Sequence, residues 1–123
     1  MLCVIVWRRN TVMGQYQIKI TELAEKDMED IGDYIACELG NSSAAENTIR
    51  GIRTKINSLV NFPERNELDE DELLAELGVR KEYYRNYKIY YVTEKSIIYI
   101  VRILHTLVDS KSWLYRTFGI KII

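Results

Sequence analysis

The chain has 123 residues, of which 47% are hydrophobic and 28% charged, with six glycines and one proline. This length suits one domain, and the composition excludes a disordered or low-complexity protein. The formal net charge is −1, which by itself argues against strong nucleic-acid binding. Two cysteines and one histidine are too few for a disulfide framework or a zinc cluster, so neither a metal nor another cofactor is predicted.

The first twelve residues are predicted to lie outside the core fold. Their apolar run, Leu2 to Trp7, is too short for the apolar region of a signal peptide, and its basic residues follow it. Met13 offers a second start. Residues 1–12 are therefore an upstream extension or an extra edge strand, and residues 13–123 form the domain. Since no stretch approaches the length of a membrane span, a cytoplasmic location is expected.

The first predicted elements are a strand and a helix. Residues 15–21 alternate apolar and polar side chains, which is typical of a half-buried strand. Thr21 then suits the N-cap of a helix, and Gly40 suits its end. The apolar stripe that predicts this helix has spacings of three and four residues and consists of Ala24, Met28, Ile31, Ile35 and Leu39.

A second amphipathic helix is predicted to follow directly. Ser43 and Glu46 have the spacing of a capping box at its start, and Phe62-Pro63 mark its end. Gly51 within this helix costs up to about 1 kcal/mol relative to Ala, and close packing against another element would explain it. Because the connecting loop is short, the two helices are predicted to form an antiparallel hairpin. The apolar stripe of the second helix consists of Ala45, Ile49, Ile52, Ile56 and Leu59.

Residues 64–78 form a strongly acidic stretch. It contains seven acidic residues and one basic residue, a net charge of −6, and because the whole chain stands at −1 the remainder carries +5. A solvated loop with a short helix accounts for this composition. The alternative is that the negative charge faces a basic groove or a partner.

Three strands and a terminal helix complete the predicted fold. The strands cover residues 79–84, 87–93 and 96–104, and the last is apolar on both faces, which is typical of a central strand. A short helix over 110–118, capped by Asp109 or Ser110, follows. The predicted class is α+β: an N-terminal strand, an antiparallel helical hairpin on one sheet face, a three-strand antiparallel meander and a short C-terminal helix.

Basic and aromatic residues alternate in the predicted strand region. Cations neutralise phosphates and aromatic faces stack on unpaired bases, so this mixture suits single-stranded RNA. Tyrosine is also a favoured strand residue, and half of the six tyrosines here are expected in the core or in cross-strand pairs. The cations are Arg80, Lys81, Arg85, Lys88 and Arg102.

Arg102 and His105 are the most informative polar residues of the last predicted strand. In a regular strand Arg102 shares a face with the apolar Ile100 and Leu104, where its guanidinium needs an anion. That anion is either a ligand in a cleft or an acidic residue of the helical hairpin. His105 faces the opposite way in a regular strand, so a bend or bulge is required to bring the two side chains together.

A series of motifs between residues 15 and 114 has a recognisable order. It begins with the strand QYQIKIT, the helix pattern A-x-x-D-M-x-x-I-x-x-Y-I and the L-x-x-F-P of residues 59–63. Gly78-Val79-Arg80, the Y-K-I-Y-Y of the next strand and R-I-L-H-x-x-x-D ending at Asp109 follow. In this order the motifs resemble the RelE/ParE superfamily of bacterial type II toxins. The resemblance implies a microbial-RNase-like fold and a cognate antitoxin that inactivates the toxin by forming a hetero-oligomer with it.

The resemblance implies one of two activities. The RelE-like branch cuts mRNA in the ribosomal A site, whereas the ParE-like branch inhibits DNA gyrase and is not a nuclease. From the sequence we predict a ribosome-dependent mRNA endonuclease that arrests translation and growth until its antitoxin neutralises it. The gyrase inhibitor is the alternative, since the R-I-L-H-x-x-x-D ending suits both branches, and a binding module within an antitoxin complex is a third.

For the endonuclease, the resemblance also implies which residues act. RNA cleavage in this family needs no metal and uses the substrate's own 2′-OH, so the protein orients the backbone, moves a proton and stabilises charge on the phosphate. Lys88 departs from the arginine that members often carry, and lysine cannot make a bidentate phosphate contact. His105 is the predicted acid or base, and Tyr87 and Tyr115 are the predicted RNA-binding aromatics. The predicted catalytic residues are Arg80, Lys81, Lys88, Arg102 and His105.

Overall fold

The computed structural model describes residues 16–120, so the extension predicted at residues 1–12 lies outside the described residues. The order of the helices and strands confirms the predicted α+β fold, in which one strand and a helical hairpin precede a three-strand meander and a terminal helix. The strands are β1 (Gln17–Ile20), β2 (Arg80–Tyr84), β3 (Tyr87–Glu94) and β4 (Ile97–His105). The helices are α1 (Glu22–Asp33), α2 (Ser42–Ser58), α3 (Glu72–Glu76) and α4 (Ser110–Thr117).

The four strands form one sheet in the order β1-β4-β3-β2. The β2–β3–β4 meander is antiparallel, and β1 pairs in parallel with β4. At its two tight turns Arg85, Lys95 and Ser96 adopt positive φ angles of 52°, 51° and 67°, a conformation that short hairpin turns favour. The sheet order confirms that β4 is a central strand, as its apolar character on both faces predicts.

Each face of the sheet has its own hydrophobic core, which explains why β4 is apolar on both sides. The core beneath the α1–α2 hairpin includes Met28, Ile52, Ile56, Ile100 and Ile103. The core beneath α3 and α4 includes Leu74, Tyr90, Leu104, Leu114 and Tyr115. Burial of apolar surface in such cores stabilises a fold by roughly 25 cal/mol per Å².

The end of α1 departs from the prediction. The helix ends at Asp33 and continues as a π-helical turn from Tyr34 to Glu38, in which the Leu39 N–H donates to the Tyr34 carbonyl. Because this turn is wider than an α-helical one, Leu39 leaves the apolar stripe and its side chain is 61% exposed. Gly40 ends the segment at a φ of 62°, as predicted.

The N-cap of α2 corrects the predicted capping box. Asn41 is the cap, and its side-chain oxygen accepts a hydrogen bond from the Ala44 N–H at 2.9 Å. Ser43 lies inside the first turn, so it does not form a capping box with Glu46, and asparagine caps a helix as well as serine does. For α1 the prediction is confirmed, since the Thr21 hydroxyl accepts a backbone N–H at 3.2 Å.

The remaining helices are short. The acidic stretch contains α3, which Asp71 caps by accepting the Leu74 N–H at 3.2 Å. α4 begins after Asp109, as predicted, and that carboxylate accepts the Ser112 hydroxyl at 2.8 Å. The helices of the described part of the chain lack the length or the apolar character that a membrane-spanning helix requires.

Candidate functional site

A cleft of about 460 Å³ opens on the face of the sheet that α3 and α4 cover. It is lined by Lys81 of β2, Lys88 of β3 and Lys111 of α4, together with the buried Tyr90. The Tyr90 ring centroid lies 6.0 Å from Lys81 Nζ and 5.7 Å from Lys88 Nζ. We call these three lysines and Tyr90 the lysine pocket. It brings together two of the five predicted catalytic residues.

The acidic segment, Asp69–Asp71, lines the same cleft. Lys81 Nζ lies 3.3 Å from the Glu70 carboxylate and 3.8 Å from that of Asp69. Lys111 Nζ lies 3.2 Å from the Asp71 carboxylate. The lining contains three lysines and four carboxylates, so its net charge is negative. Both interpretations of the acidic stretch therefore hold: it is a loop with a short helix, and its charge faces a basic groove.

Contacts within the cleft raise the pKa values of lysines and lower those of carboxylates, as Lys81 and Asp71 illustrate. Burial alone would lower the pKa of Lys81, but the Tyr90 phenol and the Glu70 carboxylate outweigh burial and raise that pKa above its usual 10.5. Burial alone would raise the pKa of the Asp71 carboxyl, but hydrogen bonds from the Tyr115 hydroxyl and from the backbone lower it below 3.8. Both shifts favour the charged forms, as expected where ammonium and carboxylate groups face one another.

The lowered pKa of Asp71 predicts a loss of stability in acid. Because this pKa is lower in the folded than in the unfolded protein, its contribution is present above about pH 3.8 and is lost as the pH falls through the folded value. Asp71→Asn, which still caps α3, is expected to remove this part of the pH dependence. Urea unfolding of both proteins from neutral to strongly acidic pH measures it. If the free energies of unfolding of the two proteins fall in parallel as the pH is lowered, Asp71 is not a source of the acid-induced loss of stability.

Arg102 does not occupy the face that a regular strand predicts. In the β3–β4 pair Arg102 lies opposite Tyr90 and Ile100 lies opposite Tyr91, so Val101 is an extra residue in a β-bulge. The bulge turns Arg102 onto the face opposite to that of Ile100. The expected shared face with Ile100 is therefore wrong, because sequence alternation cannot reveal a bulge.

The guanidinium of Arg102 is paired within the protein. Its Nε and Nη2 donate to the two carboxylate oxygens of Asp27 in α1, each at 2.7 Å. One of these oxygens also accepts the Ile103 N–H at 2.9 Å, at the edge of β4 beyond the end of β1. The two charged side chains are only 9% and 11% exposed. Of the two predicted partners for Arg102, the acidic residue of the helical hairpin is the one observed, in a bidentate ion pair.

α4 separates Arg102 from the lysine pocket, although the two lie on the same face of the sheet. Thr117 Oγ1 accepts a hydrogen bond from Arg102 Nη1 at 3.2 Å, and the Trp113 ring centroid lies 5.1 Å from the guanidinium carbon. Lys111 of the same helix lines the pocket instead. The cleft therefore holds two of the predicted catalytic residues, Lys81 and Lys88, without Arg102, so these three do not form one site.

Arg80 also lies outside the lysine pocket. It is the neighbour of Lys81 in β2, and adjacent residues of a strand face opposite sides of the sheet. Arg80 lies opposite Tyr91 of β3, and its guanidinium donates to the Asn66 carbonyl. Arg80 thus lies on the face that the helical hairpin covers, where its side chain is hydrogen-bonded to a backbone carbonyl.

His105 lies on the same face as Arg80. From Arg102 to His105 the pairing with β3 is regular, so the two side chains point to opposite faces. The imidazole meets the Tyr87 ring edge-on, with centroids 5.5 Å apart and planes at 85°. Its Nδ1 accepts the Leu107 N–H at 3.1 Å. β4 does contain a bulge, at Val101, but it precedes both Arg102 and His105. It therefore does not bring the two side chains together.

The two predicted RNA-binding tyrosines are engaged within the protein. Tyr115 is buried, and its hydroxyl donates to Asp71 Oδ2 at 2.8 Å. Tyr87 is half-buried against the hairpin core and contacts His105. Stacking of an unpaired base on either ring would require the side chain to move.

Sequence reasoning missed Asp27 and Lys111. Asp27 directly precedes the core residue Met28, which places it beside the apolar stripe and could have identified it as a partner for Arg102. Lys111 precedes Tyr115 by four residues, a spacing that brings helical side chains together, and its Nζ lies 5.5 Å from that ring centroid. Among residues 16–120, no group of His, Cys, Asp and Glu is arranged to hold a metal ion.

Comparison with known proteins places the chain in a toxin family. The family model of the ParE toxin of type II toxin–antitoxin system, parDE, matches residues 18–109. The fold is similar to the chromosomal ParDE toxin–antitoxin system from P. aeruginosa, with a TM-score of 0.62, 19% identity and coverage of 76% of this chain and 98% of that one. It is also similar to the toxin–antitoxin complex RelBE2 from Mycobacterium tuberculosis, with a TM-score of 0.54, 17% identity and coverage of 74% and 98%.

At these identities the solved structures support the fold alone, and no curated protein matches the chain. The family model extends from the second residue of β1 to the residue before α4, which is most of the chain. The chain therefore belongs to the ParE toxin family of type II toxin–antitoxin systems, within the RelE/ParE superfamily.

Proposed function

We propose that this protein arrests growth by inhibiting DNA gyrase, without cutting RNA, and that a cognate antitoxin neutralises it by forming a hetero-oligomer in the cytoplasm. The family model supports the toxin class. The solved structures of similar fold, a toxin–antitoxin system and a toxin–antitoxin complex, support the antitoxin as partner. DNA gyrase is the target that the resemblance to the ParE-like branch implies.

The observation that carries the proposal is the separation of the groups that RNA cleavage would need. In-line attack by a 2′-OH requires a proton acceptor and cations around one phosphate. His105 and the lysine pocket lie on opposite faces of the sheet. Arg102, the cation most buried on the pocket's face, is neutralised by Asp27. The four carboxylates of the cleft would repel the phosphate itself.

The second candidate is the ribosome-dependent mRNA endonuclease predicted from the sequence. The feature that favours it is the lysine pocket, where Lys81 and Lys88 lie near an aromatic ring in an open cleft. Cations beside an aromatic ring suit a nucleic-acid backbone and its bases. The two candidates differ in whether these lysines are needed for toxicity.

The decisive experiment measures both activities with one protein. Purified toxin is expected to inhibit supercoiling by DNA gyrase and to trap gyrase–DNA cleavage complexes. Primer extension on a translated mRNA after induction is expected to show no new cuts at codon boundaries. Lys81→Gln/Lys88→Gln is expected to arrest growth as the unmodified toxin does, because RNA contacts are not required.

The opposite pattern would replace the proposal by the second candidate. Codon-boundary cuts that disappear in Lys81→Gln/Lys88→Gln, together with unaffected gyrase, would identify an endonuclease. Circular dichroism of the double variant serves as the control for folding, so that a loss of growth arrest is attributed to the lysines only if the fold is intact.

A further inference from the structure

The acidic segment, Asp69–Asp71, lies where an anionic ligand of the lysine pocket would lie. The Glu70 carboxylate is 3.3 Å from Lys81 Nζ, and the Asp71 carboxylate is 3.2 Å from Lys111 Nζ. Carboxylate and phosphate oxygens compete for the same ammonium donors. We propose that the acidic segment is a built-in competitor that keeps nucleic-acid backbones out of the lysine pocket.

Backbone and side-chain hydrogen bonds hold the acidic segment in this position. The Asp69 N–H donates to the Val79 carbonyl at 2.8 Å, next to the start of β2. The Asp71 N–H donates to Asp69 Oδ1 at 2.8 Å, and the Tyr115 hydroxyl of α4 donates to Asp71 at 2.8 Å. Because the competing carboxylates are part of the same folded chain, they act at a high effective concentration, which a dissolved polyanion does not match.

The net charge of the cleft decides whether a nucleic-acid backbone can bind in the lysine pocket. As folded, its lining has three lysines and four carboxylates. Removal of the three charges of the acidic segment would leave three lysines and one carboxylate, which reverses the sign of the field. Lys88 forms no ion pair with any described residue, so it stays available to a phosphate once the neighbouring carboxylates no longer repel it.

This inference rests on the proposed function in one respect: a toxin that does not cut RNA has no need of an open phosphate site. Its test measures nucleic-acid binding and not gyrase inhibition. Either proposal can therefore fail while the other stands.

The test compares the unmodified protein with Asp69→Asn/Glu70→Gln/Asp71→Asn, using fluorescence anisotropy of a labelled oligothymidylate. Asn at position 71 preserves the cap of α3. The variant is expected to bind the oligonucleotide with an affinity on the order of 10- to 100-fold higher than the weak affinity of the unmodified protein. With three lysines contacting phosphates, the slope of log K against log salt is expected to be about −2, roughly a 16-fold loss of affinity between 50 and 200 mM salt.

Two further variants separate a pocket effect from a change in overall charge. Glu22→Gln/Glu29→Gln/Asp30→Asn removes three exposed charges from α1, on the other side of the sheet, and is expected to leave binding as in the unmodified protein. Adding Lys88→Gln and Lys111→Gln to the triple variant of the acidic segment is expected to abolish the gain in affinity.

A single change in the acidic segment is the mildest test. Glu70→Gln alters a side chain that is 87% exposed, so it keeps the fold. It is expected to raise the affinity for the oligonucleotide on the order of two- to fivefold.

Three results would overturn the proposal. The first is equal binding by the unmodified protein and the acidic-segment variant. The second is an equal gain in the α1 variant, which would assign the effect to net charge. The third is a gain that survives the loss of Lys88 and Lys111, which would place the binding outside the lysine pocket. Circular dichroism shows that each protein compared is folded.

Discussion

Asp27→Ala is expected to lower the free energy of unfolding by about 3–5 kcal/mol, because it leaves the Arg102 guanidinium buried without its anion. The change also removes the acceptor of the Ile103 N–H at the edge of β4. Arg102→Ala is expected to lose a comparable amount, since Asp27 is then the unpaired charge. Urea unfolding at neutral pH, followed by circular dichroism, measures both.

Lys26→Ala is the matched control for Asp27→Ala. Lys26 is the neighbour of Asp27 on α1, but its ion pairs with Glu29 and Asp30 are exposed, so a change within about 0.5 kcal/mol is expected. Asp27→Leu/Arg102→Met, which replaces the pair by apolar side chains, is expected to recover much of the loss. A loss for Asp27→Ala as small as that of the control would contradict the buried-pair assignment.

This stability effect changes how toxicity assays of Arg102 are interpreted. A loss of growth arrest in Arg102→Ala would follow from partial unfolding alone, because the side chain joins α1, β4 and α4. Reduced toxicity therefore implicates Arg102 in target contact only when the folded fraction is unchanged. The apolar double variant is the better test, since it retains the packing without the charges.

Gly51→Ala is expected to destabilise the protein by about 1–3 kcal/mol, although alanine favours an isolated helix by about 1 kcal/mol. A Cβ at position 51 would overlap the hydroxyl oxygen and the Cζ of Tyr84. Because the Tyr84 ring packs against the core beneath the hairpin, either the ring or α2 must shift. The free energy of unfolding in urea measures the change, and its sign separates packing from helix propensity.

The facing helix supplies the matched control for Gly51→Ala. A Cβ at Gly32 of α1 would meet Ile49 at 3.6 Å, which is ordinary van der Waals contact. Gly32→Ala is therefore expected to stabilise the protein by up to about 1 kcal/mol. Gly51→Ala combined with Tyr84→Ala is expected to be no less stable than Tyr84→Ala alone. Stabilisation by Gly51→Ala in the unmodified background would refute the close approach.

Local patterns in the sequence predicted most of the fold. Period-two alternation located β1, and apolar stripes located the two helices of the hairpin, because these patterns report directly which side of an element is buried. Thr21 was predicted as a cap from its side-chain chemistry alone. Gly51 was predicted to be a point of close packing, since a helix rarely contains glycine without such a reason, and Tyr84 is the neighbour that requires it.

The candidate site was much less predictable, because its contacts join distant parts of the chain. Lys81 and Lys88 were identified as cations, and a basic groove was one of the surroundings predicted for the acidic stretch, but local patterns could not show that these two lysines form that groove. The helical hairpin was one of two predicted sources of the anion for Arg102. Which of its carboxylates would serve was not predicted, since Asp27 lies 75 residues away.

Periodicity, composition and the order of motifs are enough to predict the class of fold, the order of its elements and the residues able to bind or neutralise anions. Which of those residues share a face, and which are already paired, follows from packing between distant elements. Propensity and periodicity act within a few residues, whereas the bulge at Val101 sets the face of Arg102 and α4 supplies one of its partners. The ion-pair partner of a charged side chain and its exposure to solvent govern what that side chain can bind. Both are properties of the packed molecule.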